Sequence, residues 1–528
     1  MQHPPRFVWL RPAAVAILAA IALVVPIRHL TPPLAARALA AQAPGELRLT
    51  AERAQAFVDA HDRHLNYLPG EVLVKFKPGV SIDGEQRALM ALRSRPDAGN
   101  LEWAGEVAVI HDASQPDATI MAAQLSSQPE VEYAEPNYIA PIPHSDAKYQ
   151  ADPTPPSARS AGTPNDTDYA ARQWNFTDLN VPKAWDIQPG GSADLIVAVV
   201  DTGITVTKTT MSFVVSTGTS LQLASVPFDI SPDLTASKLV KPVDFAFFTA
   251  GSPVLDMDSH GTHVASTIAE TTNNNLALSG FAYNVQIMPV KVCVGYWEVA
   301  FARAASGFIT LPAIDSGGCS FSAISSGIRY AADNGAKVIN ISLGGTTTSQ
   351  TLLDALNYAV QKGAFIAVSG GNAKEDGNQL EYPAGYAPNI DGVMSVAATG
   401  RSRTRAYYST TGSQIEIAAP GGSSRDGGSS GVIWQETLNQ NDLSPFLVAP
   451  RFDRYAEAGF SGTSMASPHV AALAALIMSQ MGSAATPAIV EQVIRSTALD
   501  LGAPGRDDEF GYGLIQPRTA LFGRGIRK

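Results

Sequence analysis

Leu195-Ile196-Val197-Ala198-Val199-Val200-Asp201-Thr202-Gly203 is the stretch from which the rest of the sequence can be read. Its unbroken apolar run marks a strand buried on both faces, and the Asp-Thr-Gly that closes it is a turn carrying a carboxylate. Comparable runs recur at Val285–Val292, Val338–Ser342, Phe365–Val368, Val393–Ala397 and Gln414–Ala418. Helical periodicity lies between them, at Thr262–Glu270, Ser322–Asn334, Thr351–Lys362 and Ser464–Ser479. Strands alternating with helices predict a parallel sheet with helices on both faces, an α/β sandwich over residues 169–528. In such sheets ligand chemistry gathers beyond the carboxyl ends of the strands.

Upstream, residues 68–140 keep a different rhythm. Strands are expected at Glu71–Phe76, across Trp103–His111 and at Val131–Tyr138, with helices at Gln86–Arg93 and Ala118–Leu125. The order β-α-β-β-α-β is that of a small ferredoxin-like α+β sandwich. A short amphipathic helix, Leu47–His61, precedes it, so the whole unit is set at residues 44–140. Residues 141–168, rich in Pro, Ser, Thr, Asp and Ala with no apolar period, read as an exposed linker open to proteolysis. At the start of the chain Arg6 and Arg11 precede the apolar run Ala13–Val25, and small residues come next, up to Ala43. That is the layout of a secretory signal peptide over residues 1–43, since a run of 13 residues falls short of the ~20 that span a bilayer. The other reading is an uncleaved anchor. With the leader removed, no stable membrane span is expected, and the protein is expected outside the cell or in a periplasm.

Composition narrows the classes. At 45% apolar and 16% charged over 528 residues, the chain can bury a large core, which excludes wholesale disorder. A net charge of −11 without a long basic run argues against nucleic acid or an anionic membrane as partner. The two cysteines, Cys293 and Cys319, are too few for a thiolate metal cage. Export favours a disulfide between them, two buried thiols being the alternative.

Three segments carry chemistry. Asp201 stands where a buried strand ends. His260-Gly261-Thr262-His263-Val264-Ala265 opens a helix with a histidine, and Phe460-Ser461-Gly462-Thr463-Ser464-Met465-Ala466-Ser467-Pro468 places a serine at a helix entry where backbone N–H groups are free. Taken singly they read as a turn Asp, a helix cap and an N-cap Ser. Together they are an acid, a base and a nucleophile in the order Asp, His, Ser, one of the orders known for serine-protease triads. His263 and His469 read as packing histidines.

These segments resemble the motifs of the subtilisin family, the subtilases. Gly371-Asn372 is similar to the family's oxyanion asparagine segment, with Ser369-Gly370 where small alanines are usual. Ser342-Leu343-Gly344 and the adjoining Gly345 resemble the wall of the primary specificity pocket, and Gly317-Gly318-Cys319-Ser320 the edge that pairs with substrate backbone. Gly511-Tyr512-Gly513-Leu514 resembles the C-terminal signature, and Pro69–Val74 with Ala134–Tyr138 the inhibitory propeptide.

The resemblance implies a secreted serine endopeptidase made as a self-processing zymogen, a monomer acting on polypeptides and inhibited by its own propeptide. Asp201, His260, Ser464 and Asn372 would carry catalysis. It also implies a structural calcium held by Asp233 and Asn274. A catalytically inactive peptide-binding protein on the same fold is the alternative. An acid peptidase with a Ser-Glu-Asp site and an esterase or acyltransferase are the more distant rivals.

Three features depart from the family pattern. Residues 204–230 form an apolar, Thr-rich insertion expected to add a hairpin near the site. Residues 295–316, with Trp297, Phe301 and Phe308, insert before the substrate edge and are flanked by the two cysteines. Glu381, before Tyr382-Pro383-Ala384, falls at the floor of the primary pocket, where a carboxylate would favour Lys or Arg side chains; Asp258 could favour a basic neighbour in the same way. A solvated loop glutamate is the alternative for Glu381.

Overall fold

The computed structural model describes residues 50–142, 148–150, 163–246, 253–444 and 449–522, so the expected signal segment at 1–43 lies outside the described residues. Seven parallel strands run in the order Ile417–Pro420, Val393–Thr399, Phe365–Ser369, Val338–Ile341, Ile196–Asp201, Gln286–Lys291 and Val243–Asp244. The strand quoted at the outset is central, with Val200 paired to both Val290 and Ile341. Its alternate residues feed opposite cores. Val197 and Val199 pack with Val264, Ile268, Val470 and Leu473, whereas Ala198 and Val200 pack with Phe321, Ile328, Leu352 and Leu356. Burial on both faces explains why the strand lacks polar alternation, each such side chain contributing about 1.5–3 kcal/mol.

Helices His260–Ala269 and Thr463–Met481 cover the first face. The second of these is apolar nearly all round because it runs through the core rather than over it. Helices Phe321–Asp333 and Gln350–Gln361 cover the other face.

The N-terminal unit has four antiparallel strands, Tyr67–Phe76, Glu102–Ala104, Val107–His111 and Val131–Ala140, around its own core of Val72, Val74, Leu89, Met121 and Leu125. The first helix spans Ile82–Leu89 and starts four residues before its expected position, because Ser81 caps it by accepting from the Gly84 N–H at 3.3 Å. The sheet does not stop at this unit. Val131–Ala140 pairs with Gly318–Ser320, which pairs with Cys293–Val294, giving one six-stranded sheet across both units.

The stretch read as an exposed linker is in part packed. Lys148–Gln150 forms a strand against Tyr455–Phe460, and Asp166 is buried just before the short helix Tyr169–Arg172. Its polar composition hid this, because the buried carboxylate is met by backbone N–H groups rather than by apolar neighbours.

Both insertions are built as regular structure. Thr209–Ser216 and Leu221–Phe228 pair as the expected hairpin, and Tyr296–Ala305 is a helix. Phe213 of the hairpin stacks on Phe301 of the helix at 4.2 Å, and Trp297 joins the same small core. Phe308, by contrast, is exposed. Cys293 and Cys319 are bonded to each other at the base of the inserted segment, 26 residues apart in sequence. Closing a loop of that length stabilises by about 3–4 kcal/mol. Alkylation of the denatured, unreduced protein is therefore expected to add no label, and reduction is expected to expose two thiols and lower the midpoint of unfolding.

Candidate active site

Asp201 ends the central strand and is fully buried. Its Oδ1 accepts from Nδ1 of His260 at 2.8 Å and from the Thr202 N–H at 2.7 Å. His260 is the first residue of its helix, whose entry is organised by Asp256. One oxygen of Asp256 accepts from the N–H groups of Asp258 and Ser259, each at 3.0 Å, and the other from the N–H and hydroxyl of Thr262. Sequence reading passed over Asp256, although its place in Asp256-Met257-Asp258-Ser259-His260 is that of a residue turning back to cap a helix. Asp258 also caps, accepting from the His260 N–H at 3.2 Å.

Ser464 is the second residue of the long buried helix. Its hydroxyl donates to the Ser342 carbonyl at 3.0 Å, and Nε2 of His260 has no hydrogen-bond partner among the described residues. Contacts of this kind are often loose without substrate. Asn372 is oriented from the same helix end. Its Oδ1 accepts from both the N–H and the hydroxyl of Thr463 at 2.9 Å, which leaves the NH₂ free to donate elsewhere. Ser342, at the end of strand Val338–Ile341, answers Ser464 twice, since its own hydroxyl donates to the Ser464 carbonyl at 2.9 Å.

His263 and His469 are packing residues. His263 stacks on Phe460 at 4.3 Å and burial lowers its pKa to about 3, while burial lowers that of His469 to about 4. Neither is a base for chemistry near neutrality.

Glu381 lies against Gly344 and Gly371. A Cβ on Gly371 would come within 2.7 Å of its Oε1, and one on Gly344 within 3.2 Å of its Oε2. The Asn372 N–H donates to Oε1 at 3.2 Å. Gly345 and Tyr382 exchange backbone hydrogen bonds of 2.9 and 2.7 Å, which seats the Glu381 segment against the Ser342–Gly345 wall.

Gly317, Gly318 and Cys319 present the edge on which the N-terminal unit lies, with Cys319 opposite Ala140 and Ser320 opposite Ile139. Two side chains of that unit cap helices of the other. Asn137 accepts from the Ser322 N–H at 3.0 Å, and Glu135 from the N–H groups of Gln350 and Thr351 at 3.0 and 3.1 Å. Carboxylate at a helix N-terminus is the favourable sign for the dipole.

Asp233 and Asn274 are brought together, the Asn274 amide donating to Asp233 Oδ1. Asp166, which the sequence had placed in the linker, joins them by accepting from the N–H groups of Asn273 and Asn274 at 3.1 and 3.0 Å. Among the described residues no group of three or more His, Cys, Asp or Glu side chains is placed to hold a metal. The oxygens gathered here are those of Asp166, Asp233 and the Asn274 amide, with the fully buried Glu270 carboxylate beside Asp233.

The subtilase family model matches residues 192–513, more than half of the chain. The chain belongs to the subtilase family. A model of the fervidolysin N-terminal prodomain matches residues 53–137. The thermophilic serine proteinase of Bacillus sp. (strain AK1) is 31% identical over 458 residues, covering 86% of this chain and 88% of the relative. Thermitase of Thermoactinomyces vulgaris is 32% identical over 344 residues, covering 65% of this chain and 94% of thermitase. An extracellular protease of Xanthomonas campestris is 34% identical over 367 residues, covering 68% of this chain and 57% of its own length. The crystal structure of fervidolysin from Fervidobacterium pennivorans superposes with a TM-score of 0.58 at 24% identity, covering 88% of this chain and 62% of that one. That likeness speaks for the fold alone. The protein is a subtilisin-type serine endopeptidase with a prodomain.

Burial raises the Glu381 pKa from an ordinary 4.5 to about 7, against the opposing Asn372 N–H. Between those values the folded chain binds more protons than the unfolded one, so this group makes stability fall as pH rises through the window. Glu381→Gln, in a Ser464→Ala background to prevent autolysis, is expected to remove up to about 2–3 kcal/mol of that fall. Urea unfolding at pH 4.5 and pH 8 measures it.

Proposed function

We propose that the protein is an exported endopeptidase, made as a zymogen and acting as a monomer on polypeptides, with Ser464 as nucleophile, His260 as base and Asp201 as the group that orients the imidazole. His260 Nε2 takes the Ser464 proton as Oγ attacks the scissile carbonyl, then returns it to the leaving amine. The Asn372 NH₂ and the Ser464 backbone N–H receive the oxyanion. Substrate backbone pairs with Gly317–Cys319 on one side and Ser342–Gly344 on the other. The observation that carries this reading is the strand Val131–Ala140, which lies on that edge as a peptide substrate would, at the same end of the sheet as the Asp201–His260 pair. Residues 44–140 then act as the inhibitory propeptide, and the mature enzyme begins within the 141–168 segment.

Asp166, Asp233 and Asn274 fit a calcium ion, which prefers hard oxygen ligands. Bound there, it would supply structural cross-linking of three loops. The relatives named extracellular proteases support export of this chain.

The test is the intact mass and N-terminal sequence of wild type beside Ser464→Ala. Wild type is expected to lose its first block, with the new N-terminus between Ala140, on the substrate edge, and Lys148, which pairs with Phe460 on the strand leading to Ser464; Ser464→Ala is expected to stay whole. Asn372→Leu should process slowly and turn over about 10²–10³ more slowly, as loss of one such donor does in subtilisin. If wild type and Ser464→Ala are both uncut, self-processing is overturned and release of the enzyme falls to another protease.

Glu381 gives the primary pocket a preference for Lys and Arg, strengthening as pH rises through about 7 and the carboxyl ionises. Peptide profiling at pH 6 and pH 9 is expected to show the Arg-to-Phe ratio at the cleaved position rising with pH in wild type and flat in Glu381→Gln. A preference for Phe or Leu at both pH values would overturn it.

A further inference from the structure

The inserted helix Tyr296–Ala305 sends one charged side chain inward rather than toward solvent. Glu298, fully buried, meets the equally buried Lys291 at 2.9 Å between Oε1 and Nζ. Its other oxygen accepts from the Gly295 N–H at 2.7 Å, so the helix start itself aims the carboxylate. Lys291 ends the strand beside the central one and lies directly opposite Asp201 in the sheet. Its ammonium donates to the Thr202 carbonyl. Thr202 is the joint of the site, because its N–H holds Asp201 Oδ1 at 2.7 Å and its hydroxyl accepts from the Gly261 N–H at 2.9 Å, beside His260.

A buried ammonium is costly unless neutralised. Burial works against the charge on Lys291, and Glu298, with Asp244 and Asp256 behind it, outweighs burial and keeps the group protonated. Asp256 is engaged by four donors at the His260 helix entry and by the Thr202 hydroxyl at 3.2 Å, and Glu298 is in direct ion-pair contact with Lys291.

We propose that Glu298 is a positioning residue for catalysis, holding the Lys291 ammonium on the Thr202 carbonyl and so fixing the Asp201 carboxylate under His260. The insertion thereby becomes part of the support of the catalytic pair. This rests on the Asp201–His260–Ser464 reading above.

The experiment uses the full chain, self-processed, with active sites counted by a serine-directed fluorophosphonate and turnover measured on a short peptide. Glu298→Ala is expected to lower kcat per labelled site about 10–100-fold, the cost of a small misplacement of a catalytic group, with KM within about twofold. Because Glu298→Ala strands a buried charge and can fail to fold, the double variant Lys291→Met/Glu298→Met is measured beside it. An apolar pair of similar volume restores packing. Recovery of the thermal midpoint with kcat still depressed supports positioning. Recovery of both overturns it, as does a Glu298→Ala enzyme with the wild-type kcat. Absence of fluorophosphonate labelling in wild type would instead overturn the underlying catalytic reading.

Discussion

Pro468 takes a hydrogen-bond donor out of the second turn of the most deeply buried helix, and the site is arranged around the acceptor it leaves. The carbonyl that a residue at that position would normally engage belongs to Ser464. Ser342 supplies the missing donor with its hydroxyl, and in return its carbonyl accepts the Ser464 hydroxyl. Asn340 and Ser467 repeat the bond one layer deeper at 2.8 Å. A core helix is thereby registered against the end of strand Val338–Ile341, and the chain leaves that strand directly into the pocket wall. Thr463 fixes Asn372 from the same helix end, so Ser464, Asn372 and the Ser342–Gly345 segment share one reference point.

Much of this was legible in the amino-acid sequence, and the reasons are physical. Strands buried on both faces lose their polar alternation, which made Leu195–Val200 and its companions conspicuous. Asp201, His260 and Ser464 stand at element ends, where a polar residue interrupts an apolar pattern, and so announced themselves. Supporting residues do not. Asp256 and Asp166 work by accepting backbone N–H groups, a role any turn Asp can fill, and only the chain path shows whose N–H groups they meet. Lys291 and Glu298 carry no signal in the sequence that would pair them. Their meeting depends on an insertion folding inward, which no local pattern encodes.

The two insertions also show how additions to a fold become structural. Neither the hairpin nor the helix could bury its apolar side chains alone. Stacked through Phe213 and Phe301, they form a satellite core that includes Leu255 and Met257, just ahead of the His260 helix. The inserted helix, which carries the buried Glu298, is thereby packed against the segment that leads into the His260 helix.

The six-stranded sheet shared by the two units has a consequence once the propeptide leaves. Gly318–Ser320 keeps Cys293–Val294 on one side, covalently secured, and loses its partner on the other. A protease must offer such a bare edge to seize extended chains, yet the same edge invites pairing between copies of the enzyme. Here the exposed template is three residues long and ends where Ser320 caps the next helix, accepting from the Ala323 N–H. An edge that short can hold a flexible peptide pressed between two walls, but it is too brief to nucleate a sheet with another folded molecule. Solubility at high enzyme concentration is thus written into where that helix begins.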